Sequence, residues 1–148
     1  MIKTKRYCVY EMEVRYKRTE LDAGAPVLNS PDKVVDWFKS LVDDMQEKFI
    51  VVYLNSRNKI LCCNVEFTGG LTSSAVYIAP IARHALLCGA AGLVLLHNHP
   101  SGCIEPSEDD KKITRRIVAA LELFDICVAD HLIIGREGHY SFQEHGIM

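Results

Sequence analysis

Two short, unbroken apolar runs constrain this chain more than any other feature: Phe49–Leu54 and Gly92–Leu96. Neither alternates with polar residues, so each needs apolar neighbours on both sides. That is the pattern of central strands in a sheet with both faces covered. The segments around them supply the cover. Ser30-Pro31 places an N-cap residue before proline at the first helical position, and Val34, Phe38, Leu41 and Met45 follow at helical spacing to about residue 46. Asn55–Asn58 has turn chemistry, Ile60–Phe67 reads as a return strand, and Gly69-Gly70 breaks the chain. A helix is expected from about Pro80 to Cys88, and a longer one from Ser107 to about Phe124 with Ile113, Ile117, Leu121 and Phe124 on one face. Cys127–Ile134 reads as a strand, and Gly138–Phe142 as its hairpin partner. Tyr7, Val9, Met12, Val14 and Tyr16 alternate with charged residues as a half-buried strand would. The order (β)αββαβαββ defines an α/β sandwich with a mixed central sheet flanked by helices.

The length of 148 residues suits one ordinary domain. A composition shift near Ala23-Gly24-Ala25-Pro26 separates a strand-like extension, 1–27, from the main unit, 28–148. The extension holds Lys3, Lys5, Arg6, Arg15, Lys17 and Arg18, which read as a solvated strand face or as a small nucleic-acid or partner patch. The whole chain carries a net charge of -2, unlike the distinctly basic domains that grip polyanions over their whole surface. The six cysteines include no C-x-x-C pair, so a cysteine zinc site is not expected. Most of them read as reduced, buried cysteines of a cytoplasmic protein; no signal peptide and no apolar run of about 18 residues is present, so no membrane partner is expected.

The chemistry gathers where the second apolar run stops, at His97-Asn98-His99-Pro100-Ser101-Gly102. Catalytic groups of α/β folds collect at the carboxyl ends of strands. In extended backbone, positions two apart point the same way, so His97 and His99 can converge. Ser107-Glu108-Asp109-Asp110 opens the long helix and has the form of a capping box, which explains these residues with no chemistry at all. The short loop from His99 to Ser107 must nevertheless return to the same rim and bring a carboxylate near the two imidazoles. Two histidines and an aspartate suit a catalytic zinc that keeps a position for water. Glu47, Glu66, Glu105 and Glu108 are all candidates for the base, and spacing does not rank them. Asp130-His131, set in an apolar strand, reads as a mutually satisfied pair or as support for the site.

The spacing His97-x-His99-Pro100, then Ser107-x-x-Asp110, resembles the JAMM motif of MPN+/JAB metallopeptidases. The longer string HNHPSG…PSxxD, with DHLIIG and HYSF downstream, is similar to the RadC-like JAB domain of bacteria, over roughly residues 28–146. The resemblance implies a JAB/MPN-type fold and one zinc ion held by His97, His99 and Asp110, with water as the fourth ligand. It implies Ser107 as a hydrogen-bond partner of the water or the tetrahedral intermediate. It selects Glu47, in the pattern Glu47-x-Phe49-x-Val51-x-x-Leu54-Asn55, as the catalytic group that activates the water. The implied activity is hydrolysis of a peptide or isopeptide bond in a protein or peptide substrate. A DNA-repair-associated accessory role, the source of the family's name, is the alternative, and an inactive interaction module is a third. Two departures stand out: Ile78-Ala79-Pro80 lies where many RadC-like chains have Pro-Arg-Glu, and Cys103 lies where Asp or Asn is common. The helix-hairpin-helix region of longer family members has no counterpart in these 148 residues.

Overall fold

The computed structural model describes residues 31–39, 46–69, 76–136 and 138–148. The basic extension, and the part of the first helix expected beyond residue 39, lie outside them. The described elements are α1 (Pro31–Lys39), β1 (Lys48–Leu54), β2 (Ile60–Thr68), α2 (Ile78–Cys88), β3 (Gly92–Asn98), α3 (Glu108–Glu122), β4 (Cys127–Ile134) and β5 (His139–Ser141). They build one five-stranded sheet in the order β2-β1-β3-β4-β5. Strand β1 pairs antiparallel with β2 and β3, β3 pairs parallel with β4, and β5 closes the edge antiparallel to β4. The sheet is therefore mixed, and α3 is the crossover that a parallel β3–β4 pair requires.

The two apolar runs lie side by side at the centre, with Val52 opposite Val94. Their alternate residues feed two separate cores. Phe49, Val51, Tyr53, Leu93 and Leu95 pack with Ile81 and Ala85 of α2 and with Ile113, Ile117 and Leu121 of α3. Ile50, Val52, Leu54, Val94 and Leu96 pack on the other side with Val34, Val35 and Phe38 of α1. Burial on both faces is why these strands carry no polar alternation. Strand β3 also runs further than its apolar run, through His97 and Asn98. His97 continues the Leu93/Leu95 side and faces α3, whereas Asn98 continues the Val94/Leu96 side.

Strand β4 contains an irregularity that shapes the site. Its register against β3 jumps between Leu93↔Val128 and Val94↔Asp130, leaving Ala129 as an extra residue. In a regular strand Val128 and Asp130 would share a face, and His131 would point away from Val128. The bulge inserts one step and re-aims the side chains beyond it. His131 thereby turns toward α3, on the same side as the core residue Val128.

Candidate metal centre

His97 and His99 leave the end of β3 on the same side, and their Nε2 atoms lie 2.9 Å apart. Gly102 donates its N–H to His99 O at 2.9 Å and takes a positive φ of 84°, turning the chain back toward α3. Ser107 caps that helix. Its Oγ accepts the Asp110 N–H at 3.1 Å, and Asp110 Oδ2 accepts from Ser107 N at 2.7 Å and from Ser107 Oγ at 2.6 Å. The capping box is thus fully formed. It does not exhaust the carboxylate, because Asp110 Oδ1 sits 3.3 Å from His97 Nε2, and Oδ2 lies 3.8 Å from His99 Nε2. The local helix-capping role and the site role are carried by one buried side chain.

Glu47 completes the cluster. One carboxylate oxygen of Glu47 and one ring nitrogen each of His97 and His99 all lie within 4.8 Å of one another. The other three glutamates are placed elsewhere. Glu66 Oε1 accepts from Tyr53 OH at 2.9 Å and meets His84 Nδ1 at 3.0 Å. Glu108 pairs with Lys111 at 2.8 Å, and Glu105 is exposed on the loop. Cys103 is exposed as well, and it is its carbonyl that touches the site: His99 Nδ1 lies 2.6 Å from Cys103 O.

The hydrogen-bond network assigns the ring protons. Thr114 Oγ1 donates to Asp110 O at 2.6 Å, which uses its only proton. The 2.6 Å contact between Thr114 Oγ1 and His131 Nδ1 must then be donated by the imidazole. His131 Nε2 is left as an acceptor and takes the Nδ1–H of His97 at 2.8 Å. That leaves His97 Nε2 as a lone pair. His99 Nδ1 can only donate to a carbonyl, so in the neutral ring its Nε2 is a lone pair too. Two lone pairs 2.9 Å apart, beside a carboxylate, call for a cation between them. Ligands held about 2.0–2.2 Å from a tetrahedral zinc are roughly 3.3–3.6 Å from each other; the His97–Asp110 spacing of 3.3 Å matches this, and the His97–His99 and His99–Asp110 spacings of 2.9 and 3.8 Å bracket it. The donor set fits a divalent metal.

Burial keeps the two inner rings neutral. It pushes the His97 imidazole down to about 4, against an opposing pull from the Asp110 carboxylate and with help from His99. His131 is held well below its ordinary value, by burial first and then by His97 and His99. Below the ordinary value of 6.5 the unfolded chain takes up protons that the folded, metal-free protein refuses, so stability falls as pH drops from 6.5 toward 4. His97 alone accounts for roughly 3 kcal/mol. The midpoint of thermal unfolding in chelator is expected to drop by on the order of 10 °C across that interval. An unchanged midpoint would contradict this assignment of neutral rings.

Asp130 and His131 are not the mutually satisfied pair considered above. Asp130 accepts the His131 backbone N–H at 2.7 Å, Ser141 Oγ at 2.6 Å and Gln143 N at 3.0 Å, tying β4 to β5 and the C-terminal turn. The His131 ring goes the other way, stacked on Phe142 with centroids 4.6 Å apart and edge-on to Phe49. Sequence reasoning missed Thr114; for His131 it left support for the site as one of two readings, and the ring does stand behind His97. The available signals were a histidine in an apolar strand and a threonine four residues after Asp110 on the buried face of α3.

An α/β sandwich with a mixed sheet and two histidines, a helix-capping aspartate and a glutamate gathered at one strand end defines a JAB-type domain. The family model described as RadC-like JAB domain matches residues 28–147, and the chain belongs to that family. It is 40% identical over 141 residues to a UPF0758 protein of Haemophilus influenzae strain PittEE, covering 95% of this chain and 63% of that protein. It is 43% identical over 114 residues to the UPF0758 protein YfjY of Escherichia coli K12, covering 76% of this chain and 71% of that one. A UPF0758 protein of Thiobacillus denitrificans is 41% identical over 139 residues, 93% of this chain and 62% of the relative. The chain thus spans a little under two thirds of the length of most of these relatives. Among the described residues, no helix is long and apolar enough to cross a membrane.

Proposed function

We propose that this domain is a zinc-dependent hydrolase of peptide or isopeptide bonds, with protein or peptide substrates. The observation that carries the reading is the approach of the His97 and His99 Nε2 atoms to 2.9 Å, beside the carboxylates of Asp110 and Glu47. His97, His99 and Asp110 would hold the ion. Zinc supplies there a lowered water pKa, roughly 7, and polarisation of the scissile carbonyl. Glu47 is the base: its carboxylate takes a proton from the attacking water and returns it to the leaving amine nitrogen. Ser107 Oγ gives its proton to Asp110 and accepts one N–H, so one lone pair is left to accept from that water. The geometric cluster pairs Glu47 with the two histidines; what supports Asp110 rather than Glu47 as third ligand is their surroundings. Asp110 is fixed by two Ser107 donors and buried, as a ligand should be, whereas Glu47 precedes β1 at the rim. A cytoplasmic location goes with this reading; the described cysteines are free, though half-buried or exposed rather than buried as the sequence suggested.

The test combines metal content with turnover. Purified protein is expected to carry about one equivalent of zinc, and Glu47→Gln to keep it while losing on the order of 10²–10⁴-fold in hydrolysis of a peptide pool, read by mass spectrometry. A Glu47→Gln variant that no longer holds zinc would make Glu47 a ligand instead. Metal-free protein that resists reconstitution would sink the hydrolase reading.

A further inference from the structure

Glu47 belongs to no helix or strand; it lies just before β1, and its placement needs a separate cause. Asn98 provides one. Its Oδ1 accepts the Lys48 N–H at 2.8 Å, and its Nδ2 donates to Gln46 O at 2.9 Å. These are the peptide groups immediately after and before Glu47. Asn98 is 5% exposed, so neither bond is exchanged cheaply for water. The backbone ladder between β1 and β3 ends at Phe49↔His97. Beyond it, one side-chain amide takes over the pairing and grips both sides of the glutamate. Gly69 N–H to Glu47 O at 2.8 Å pins the same residue from the β2 side. Strand alternation makes the arrangement work. His97 and His99 point to the metal side, and Asn98 between them points to the neighbouring chain segment. The His-Asn-His triplet thus couples the ligands to the base through one strand end.

We propose that Asn98 is the positioning residue for Glu47, holding its carboxylate toward the point where His97 and His99 converge. The proposal rests on the reading of Glu47 as the base of a metal site. A buried asparagine that merely satisfied two backbone groups would affect stability and nothing at the metal. The two roles separate with Co²⁺ as probe, added alone to the metal-free protein, with visible absorption, affinity and thermal midpoint measured. Glu47→Gln is expected to change the Co²⁺ absorption envelope. Asn98→Leu, similar in volume and lacking both bonds, is expected to reproduce that change with Co²⁺ affinity altered by less than the roughly tenfold that loss of a ligand's own partner brings. Asn98→Asp serves if the leucine variant does not fold. It keeps the acceptor for Lys48 N–H, loses the donor to Gln46 O, and is expected to shift the envelope in the same direction. Asn98 variants with the wild-type envelope, or a Glu47→Gln envelope equal to wild type, would overturn the proposal. Wild-type protein that takes up no Co²⁺ would instead remove the metal-hydrolase reading beneath it.

Discussion

Replacing His97 with alanine is expected to abolish stoichiometric zinc uptake while the fold persists. His97 joins the ligand cluster to the His131 ring behind it. Its Nε2 faces His99 and Asp110, and its Nδ1 is anchored on His131. A four-ligand zinc site is worth about 10–16 kcal/mol, so one ligand is worth roughly 3 kcal/mol and its loss at least a hundredfold in affinity. His131→Phe isolates the remote part of the effect. Phenylalanine can keep the stack on Phe142 but cannot accept the His97 Nδ1–H, and zinc affinity is expected to fall by about 10–100-fold. Isothermal titration against a competing chelator reads both variants. Equal affinities for wild type and His131→Phe would mean that the Thr114–His131–His97 relay does not set the tautomer of His97.

Gly135→Ala is expected to be damaging, since among the described glycines it is the one where an added Cβ meets the closest atoms. Gly135 follows β4 and lies under the loop that carries His99 and Cys103. A Cβ there would meet Gly102 O at 2.5 Å and Ile104 Cγ2 at 2.6 Å. The first is backbone, so relief requires moving the loop itself. Gly135 is not among the positive-φ glycines, so the cost is purely one of close approach. Overpacking of this kind costs about 1–3 kcal/mol. Moving the loop also moves the Cys103 carbonyl that orients His99, so zinc affinity is expected to fall by roughly tenfold or more. Gly138→Ala is the matched control, since nothing lies within 4 Å of its Cβ position. If Gly135→Ala unfolds and binds zinc as Gly138→Ala does, the contact is not the constraint the structure indicates.

The DNA-associated alternative rests on the basic residues of the 1–27 extension, outside the described residues. Binding to duplex DNA with a steep loss on raising salt would give it independent weight.

The residues differ in how far their placement could be read from sequence, and the difference is one of range. The central strands were legible because burial on both faces erases polar alternation within a few residues of chain. The capping box was legible because Ser107 and Asp110 satisfy each other across one helical turn. The convergence of His97 and His99 follows from the period of two in an extended strand. Each of these is local.

Glu47, Asn98, Thr114 and His131 came together only in the tertiary structure. Glu47 could not be ranked above Glu66 by spacing, since only the sheet order places β1 beside β3 and sends Glu66 toward His84 on α2. The Asn98 bonds span 50 and 52 residues, and the His97–His131 bond spans 34. The face His131 presents depends on the extra residue at Ala129, and an apolar strand pattern does not announce a bulge. By itself the sequence determined the sandwich, the two imidazoles and the helix-capping carboxylate, because short-range backbone geometry dictates them. Which glutamate joins them, and which proton each imidazole keeps, was decided by strand register and by hydrogen bonds between distant segments.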